Sequence, residues 1–224
     1  MAVSLVLRYG EKNNLLNENK DNKENYVQFL SRCETYFTPP PENSVQFDWF
    51  SATVFLICSG NIDRSLQILS LLSAFPSTVY SWLQLAGKRG QSWSMFGQLI
   101  EWLLSAELPK IYFLFQTKGV SWWLVYQSWM RQCFLNQLQW NEILQWILLI
   151  VLYPVDYQIY YSISVLKCSQ ESLLLSDQND NFFDALMGVM HNYHLGDQAR
   201  YLNHLHKKYS TFLSQNLQFT ADYI

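Results

Sequence analysis

SWWLVYQSWMRQCFLNQLQWNEILQWILLIVLYPVDYQIYYSISVLK, residues 121–167, carries most of the apolar mass of a 224-residue chain. Trp123, Trp129, Phe134, Leu138 and Trp140 are read as buried helix positions, and Ile143, Leu144, Ile147, Leu148 and Val151 follow Trp140 at steps of three and four, as buried helix faces do. Proline lacks the donor that a helix interior needs, so Pro154 separates two predicted helices, 141–153 and 156–167. Asp156 is read as the cap of the second, with Ser162 and Ser164 on a different face from Tyr160, Ile163 and Leu166. The run from Ile147 to Tyr153 is too short to cross a bilayer and fits a core helix. No catalytic motif lies inside the stretch.

Upstream, Met1 to Leu7 is a short apolar run, and Glu11 to Asn25 reads as a solvated polar loop. Helical spacing returns at Tyr26, Phe29, Leu30 and Tyr36-Phe37 and ends at Pro39-Pro40-Pro41, a stiff linker. Two apolar helices follow, Asp48 to Cys58 and Asp63 to Phe75, separated by Ser59-Gly60-Asn61, residues suited to a left-handed helix end. Tyr80 to Leu85 is short and aromatic, and Gly87-Lys88-Arg89-Gly90 is a turn without a Walker pattern. Phe96 to Leu108 is amphipathic, and Ile111 to Gln116 leads to Gly119 as a helix end. Downstream, Asp177 to Asn181 is a polar loop, and Tyr201, Leu202, Leu205, Tyr209, Phe212 and Leu213 form a helical stripe. No strand pattern of comparable length competes, so the fold class is all-α.

Half the residues are hydrophobic, 17% aromatic and 15% charged, a composition dominated by packing. A formal charge of -3, with no basic cluster longer than Lys207-Lys208, argues against nucleic acid as a partner. The four widely spaced cysteines read as reduced, and the chain as intracellular. Its opening lacks the charge order of a signal peptide, and no transmembrane segment is predicted.

His191, His194, His204 and His206 lie close together but without a cysteine or carboxylate at zinc spacing, so no metal is predicted. There is no G-x-S-x-G elbow and no cysteine–histidine pairing, and no cofactor motif appears. Trp122, Trp123, Trp129, Trp140 and Trp146 are read as core rather than the lining of a ligand groove.

Phe47-Asp48-Trp49-Phe50, then Leu108-Pro109-Lys110-Ile111-Tyr112, then Val120 before Gln127-Ser128-Trp129-Met130 and Phe134, resemble the second half of the TBC domain of Rab GTPase-activating proteins. Ser4-Leu5 with Arg8-Tyr9-Gly10, Ala106-Glu107-Leu108-Pro109, Trp140-Asn141-Glu142-Ile143 and Asp156-Tyr157-Gln158-Ile159-Tyr160 resemble the carboxy-terminal region of the broad-minded family. The resemblance divides the chain into a divergent amino-terminal segment, 1–40, and a TBC-like helical domain, 41–224.

TBC activators use an arginine from an I-x-x-D-x-x-R segment and, further on, a glutamine from Y-x-Q-G. The arginine neutralises charge on the transferring phosphoryl group, worth about 10³ to 10⁵ in rate, and the glutamine orients the attacking water. Ser44-Val45-Gln46-Phe47 falls where Y-x-Q-G belongs, leaving Gln46 as a remnant of the glutamine finger. Upstream stand only Arg8 and Arg32, neither in the arginine segment. Ile62-Asp63-Arg64 comes after the glutamine position, with Asp63 read as a helix cap and Arg64 as a solvated charge. Loss of the arginine removes roughly 4 to 7 kcal/mol of transition-state stabilisation.

The resemblance therefore implies a non-catalytic interaction protein with a role in assembling or maintaining cilia and flagella and in Hedgehog signalling. A cell-cycle-related kinase or a Rab-type GTPase is the implied partner, and the cytoplasm at the cilium base or axoneme the implied location. The enzymatic alternative is a Rab activator using the glutamine alone; a small-molecule-binding helical domain is a third, weaker idea.

Overall fold

The computed structural model describes residues 2–16, 21–37, 47–75, 77–78, 82, 90–177, 182–188, 190 and 192–221. Among them are twelve helices and no strand, so the chain is all-α, as its periodicity predicts. They fall into two compact units, one of residues 1–88 with 131–133, the other of 89–130 with 134–224.

The first unit contains α1 (Ala2–Lys12), α2 (Asn22–Tyr36), α3 (Trp49–Ile57) and α4 (Ile62–Ser73). Its centre is α3, buried at every position from Phe50 to Leu56. The Phe55 ring meets Tyr26 at 4.9 Å and Phe29 at 5.1 Å, both on α2. Ser59 and Gly60 turn left-handed (φ 52° and 80°) and end α3, as the Ser-Gly-Asn signal predicts. The loop expected over Glu11 to Asn25 is shorter than that: α1 runs to Lys12 and α2 begins at Asn22. Leu16 is buried between them, and a Cβ on Gly10 would meet its side chain at 2.7 Å, so glycine is what lets the segment close. The triple proline, the glycine-flanked turn up to Arg89 and residues 178–181 of the polar loop lie outside the described residues.

The second unit contains α5 (Gly90–Glu107), α6 (Pro109–Thr117), α7 (Trp122–Arg131), α8 (Trp140–Leu152), α9 (Asp156–Cys168), α10 (Gln170–Asp177), α11 (Phe182–Gly188) and α12 (Leu195–Ala221). The centre here is α9, packed by α5, α8 and α12 and buried at every residue from Asp156 to Leu166. This corrects the separate face expected for Ser162 and Ser164. Their hydroxyls donate to the carbonyls of Ile159 and Tyr161, each at 2.8 Å, so serine enters the core with its polar group satisfied inside the helix. Ser164 also shares a 2.7 Å bond with the buried Tyr193 hydroxyl, and Tyr126 donates to the Gln158 carbonyl at 3.2 Å.

Two further expectations change. Leu148 is 54% exposed, because α8 buries Ile143, Trp146, Ile147, Leu149 and Ile150 instead; a helix apolar on nearly every side leaves its inward face undecided by spacing. Phe134 and Leu138 do not continue the helix of Trp129. That helix ends at Arg131, and Cys133, Phe134 and Asn136 take left-handed backbone (φ 50°, 56° and 64°). The turn is held by the Phe134 ring, fully buried and 4.9 Å from Trp146.

Candidate functional site

Gln46 lies outside the described residues; two positions on, Asp48 opens α3. Its carboxylate accepts the Ser51 backbone N–H at 3.0 Å, the Ser51 hydroxyl, and the Trp82 indole N–H at 3.0 Å. An aspartate before an apolar helix is a strong cap because its oxygen satisfies an amide with no intrahelical partner. Burial pushes the Asp48 pKa up, against the downward pull of those donors. Burial also raises the Cys33 thiol to about 12 and lifts Cys133 well above its ordinary value. Neither is a thiolate near neutral pH, so this corner holds structural, not nucleophilic, chemistry.

The described arginines of this unit's helices are Arg8, Arg32 and Arg64. Arg8 is exposed on α1 and Arg64 exposed in the first turn of α4. Arg32 on α2 pairs with Asp63 at 2.7 Å, and the two line a groove of about 520 Å³ with Tyr36, Phe37 and Leu66. Asp63 is therefore not the cap expected of it. Asn61 caps α4 by accepting the Arg64 N–H at 2.9 Å, which frees Asp63 to pair across helices.

In the second unit the acids carry the arrangement. Glu101 on α5 accepts the Ser121 hydroxyl at 2.6 Å and the Trp123 N–H at 2.9 Å, so one helix caps another. Glu142, 5% exposed in the first turn of α8, does the same for α12: it accepts the Leu195 N–H at 2.9 Å and stands 3.1 Å from His194 Nδ1. Asp156 is not the cap of α9, since Val155 precedes it in right-handed backbone without a side-chain bond. Its carboxylate instead takes the Tyr160 hydroxyl at 2.9 Å and faces His206 Nδ1 at 3.3 Å, the imidazole lying 5.0 Å from the Tyr157 ring. Glu107, at the end of α5, takes Lys208 Nζ at 2.8 Å, the Tyr209 hydroxyl, and Tyr201 at 3.4 Å. Three carboxylates from three helices thus clasp α12.

The histidines are parts of that clasp or surface groups. His194 and His206 face different acids, His204 is exposed beside Tyr201, and His191 lies outside the described residues. No three His, Cys, Asp or Glu side chains converge as metal ligands among the described residues. Trp122, Trp129 and Trp146 are buried; Trp123 and Trp140 are half-buried.

Burial tends to raise the Glu107 pKa, but hydrogen bonds from Lys208 and Tyr209 outweigh it and hold the carboxyl below its ordinary value. A carboxylate with a lower pKa folded than unfolded stabilises above the unfolded value, about 4.3, and that contribution is lost as pH falls through the folded pKa. Thermal melts between about pH 5 and pH 3 should therefore show a steeper acid loss for the natural chain than for Glu107→Gln. Equal slopes would remove Glu107 from the acid response.

A family model described as the broad-minded protein Rab TBC domain matches residues 1–219. Protein broad-minded of Danio rerio is 27% identical over 238 residues, which cover 97% of this chain and 18% of the relative. Protein broad-minded of Mus musculus is 25% identical over 242 residues, with the same coverage. The chain therefore spans 18% of the length of these curated relatives. No solved structure matches.

Proposed function

The chain belongs to the broad-minded family of Rab TBC domains, and from that premise we propose that it is a binding module without GTPase-activating chemistry. The observation that supports this most is the state of Arg32. Of the two arginines upstream of Gln46, neither stands in an I-x-x-D-x-x-R segment: Arg8 is exposed on α1, and Arg32 forms a surface ion pair with Asp63 at 2.7 Å. A finger acts by placing an unpaired guanidinium against phosphate oxygens, so Arg32 would first have to give up its carboxylate. Gln46 alone orients water but supplies no charge. The partners of the module are a Rab-type GTPase held without hydrolysis or a cell-cycle-related kinase, and its setting is the cytoplasm at the base or axoneme of a cilium or flagellum.

Single-turnover GTP hydrolysis across a Rab panel is the test. The expected result is hydrolysis at the intrinsic rate of each GTPase, with or without the chain. A finger pair accelerates by about 10³ or more, so even a tenfold stimulation that Gln46→Ala abolishes would overturn the reading. Pull-down with the kinase then asks which partner is retained.

A further inference from the structure

The outward face of α8 departs from the pattern of a solvated helix, which places charged and polar residues opposite its buried stripe. From Ile143 to Val155 the chain carries no charged residue, so the outward positions are apolar too. Leu148 is 54% exposed, Leu152 69%, and Tyr153, just past the helix end, 47%. Beside this ridge lies α12. Leu195 donates to Glu142 in the first turn of α8, and Asn203 meets the Tyr157 hydroxyl beyond its end, so the two helices are tied at both ends of the groove they line. The residues that α12 turns to the groove are small: Gly196 and Ala199 are exposed, and a Cβ on Gly196 would meet nothing within 4 Å. The groove holds about 270 Å³ above a floor that includes the buried Leu149 and Leu202.

We propose that the α8–α12 face pairs with the same face of a second copy of this chain. The face carries both halves of one contact: a ridge, Leu148 and Leu152 one turn apart, and beside it a valley at Gly196 and Ala199. A two-fold axis running along the helices, between ridge and valley, sets each copy's ridge into the other's valley, which is the self-complementarity that a two-fold interface demands. An acidic or basic partner would find no counter-charge on the α8 ridge, whereas two such ridges meet without like charges opposed. Two helices about 20 Å long and about 10 Å wide present an outline of about 400 Å² per copy. Two copies together then bury about 800 Å², below the about 1,200 Å² of stable complexes, so the dimer is reversible, with a dissociation constant of tens of micromolar or weaker. The pairing goes beyond the binding-module reading and does not depend on it.

Sedimentation equilibrium of the full chain from about 1 to about 300 μM is the test. Expected is a monomer–dimer equilibrium across that range. Leu152→Glu and Ala199→Lys should each weaken it about tenfold or more, the first by driving a carboxylate into an apolar valley, the second by filling that valley with an ammonium. An equal mixture of the two variants should recover the dimer, because in the mixed pair one contact sets the new carboxylate against the new ammonium and the other contact is natural. Leu152 and Ala199 are exposed, so both variants should melt at the natural temperature, which separates lost pairing from lost fold. A monomer at every concentration, a dimer that neither variant weakens, or a mixture of normally melting variants that stays monomeric would overturn the pairing. So would a monomeric chain that binds a leucine-faced helical peptide or phospholipid vesicles, which would give the groove to another occupant. Each of these failures leaves the binding-module reading standing; only stimulated GTP hydrolysis overturns that one.

Discussion

Replacing Asp48 with alanine is expected to lower the stability of the first unit by about 3 kcal/mol. Two losses add. The Ser51 N–H at the start of α3 loses its acceptor, and removing a helix cap typically costs about 1 kcal/mol, up to about 2. The Trp82 indole N–H, on a side chain with 0% exposure, is left with a donor unpaired away from water, about 1 to 3 kcal/mol more. Their sum is a large part of the 5 to 15 kcal/mol typical of a folded domain. Asp48→Asn keeps one acceptor oxygen and should recover part of the loss. The charge itself is a burden, because burial raises the Asp48 pKa. A carboxyl with a folded pKa above its unfolded value contributes stability that is full below the unfolded pKa and lost as pH rises through the folded one. Both variants lack the carboxyl and should therefore flatten the decline in stability above about pH 4, while Asp48→Ala, which also removes the acceptor, lies lower throughout. Chemical denaturation at two pH values separates the cases; an alanine variant within 0.5 kcal/mol of the natural chain, roughly the ordinary scatter of surface changes, would remove Asp48 as the anchor of α3.

The second large effect is expected at Gly97 on α5. A Cβ there would lie 2.5 Å from Trp123 Nε1 and 2.6 Å from its Cδ1, inside van der Waals contact. The indole has little room to withdraw, since its backbone N–H is tied to Glu101 at 2.9 Å and its ring meets Phe96 edge-on at 5.7 Å. Alanine normally gains about 0.5 to 1 kcal/mol over glycine inside a helix. Overpacking costs about 1 to 3 kcal/mol, so the clash wins: Gly97→Ala should destabilise by about 1 kcal/mol and Gly97→Leu by about 3. A Trp123→Ala background supplies the control, because there Gly97→Ala should become neutral or stabilising. Additive losses in the double variant would mean that the indole is not what excludes a side chain at 97.

Helices that begin or end on a chemically distinctive residue were legible from the sequence. Pro154 separates α8 from α9 within a residue of the expected bounds, and Gly119 follows α6 in left-handed backbone (φ 65°). The direction in which each helix faces was less legible. With α8 apolar nearly all round and the serines of α9 satisfied internally, neither Leu148 nor Ser162 advertises its environment. The clasp on α12 was hidden for another reason: Glu142 meets His194 across 52 positions, Asp156 meets His206 across 50 and Glu107 meets Lys208 across 101. Local spacing carries no such information. One signal was available, since residues 121–167 hold only four charges, Arg131, Glu142, Asp156 and Lys167, and an acid in so apolar a stretch needs a partner. Of the candidate site, the helix start beside Gln46 was readable as a motif, while the pairing of Arg32 with Asp63 across 31 positions was not.

The clasp also sets a timetable. Ribosomes release a chain from its amino terminus at about 5 to 20 residues per second. When α9 emerges, α5 and α8 can already pack against it, but Asp156 and the face that α12 covers stay open until Leu195 to Leu213 have followed. For those seconds the second unit has a core helix without its last wall, whereas the four helices of the first unit, apart from the 131–133 segment, are already out and able to pack. A nascent chain stalled before His194 should therefore hold a protease-resistant first unit beside a digestible second one, and a chaperone that reads exposed aromatics would meet it in that interval.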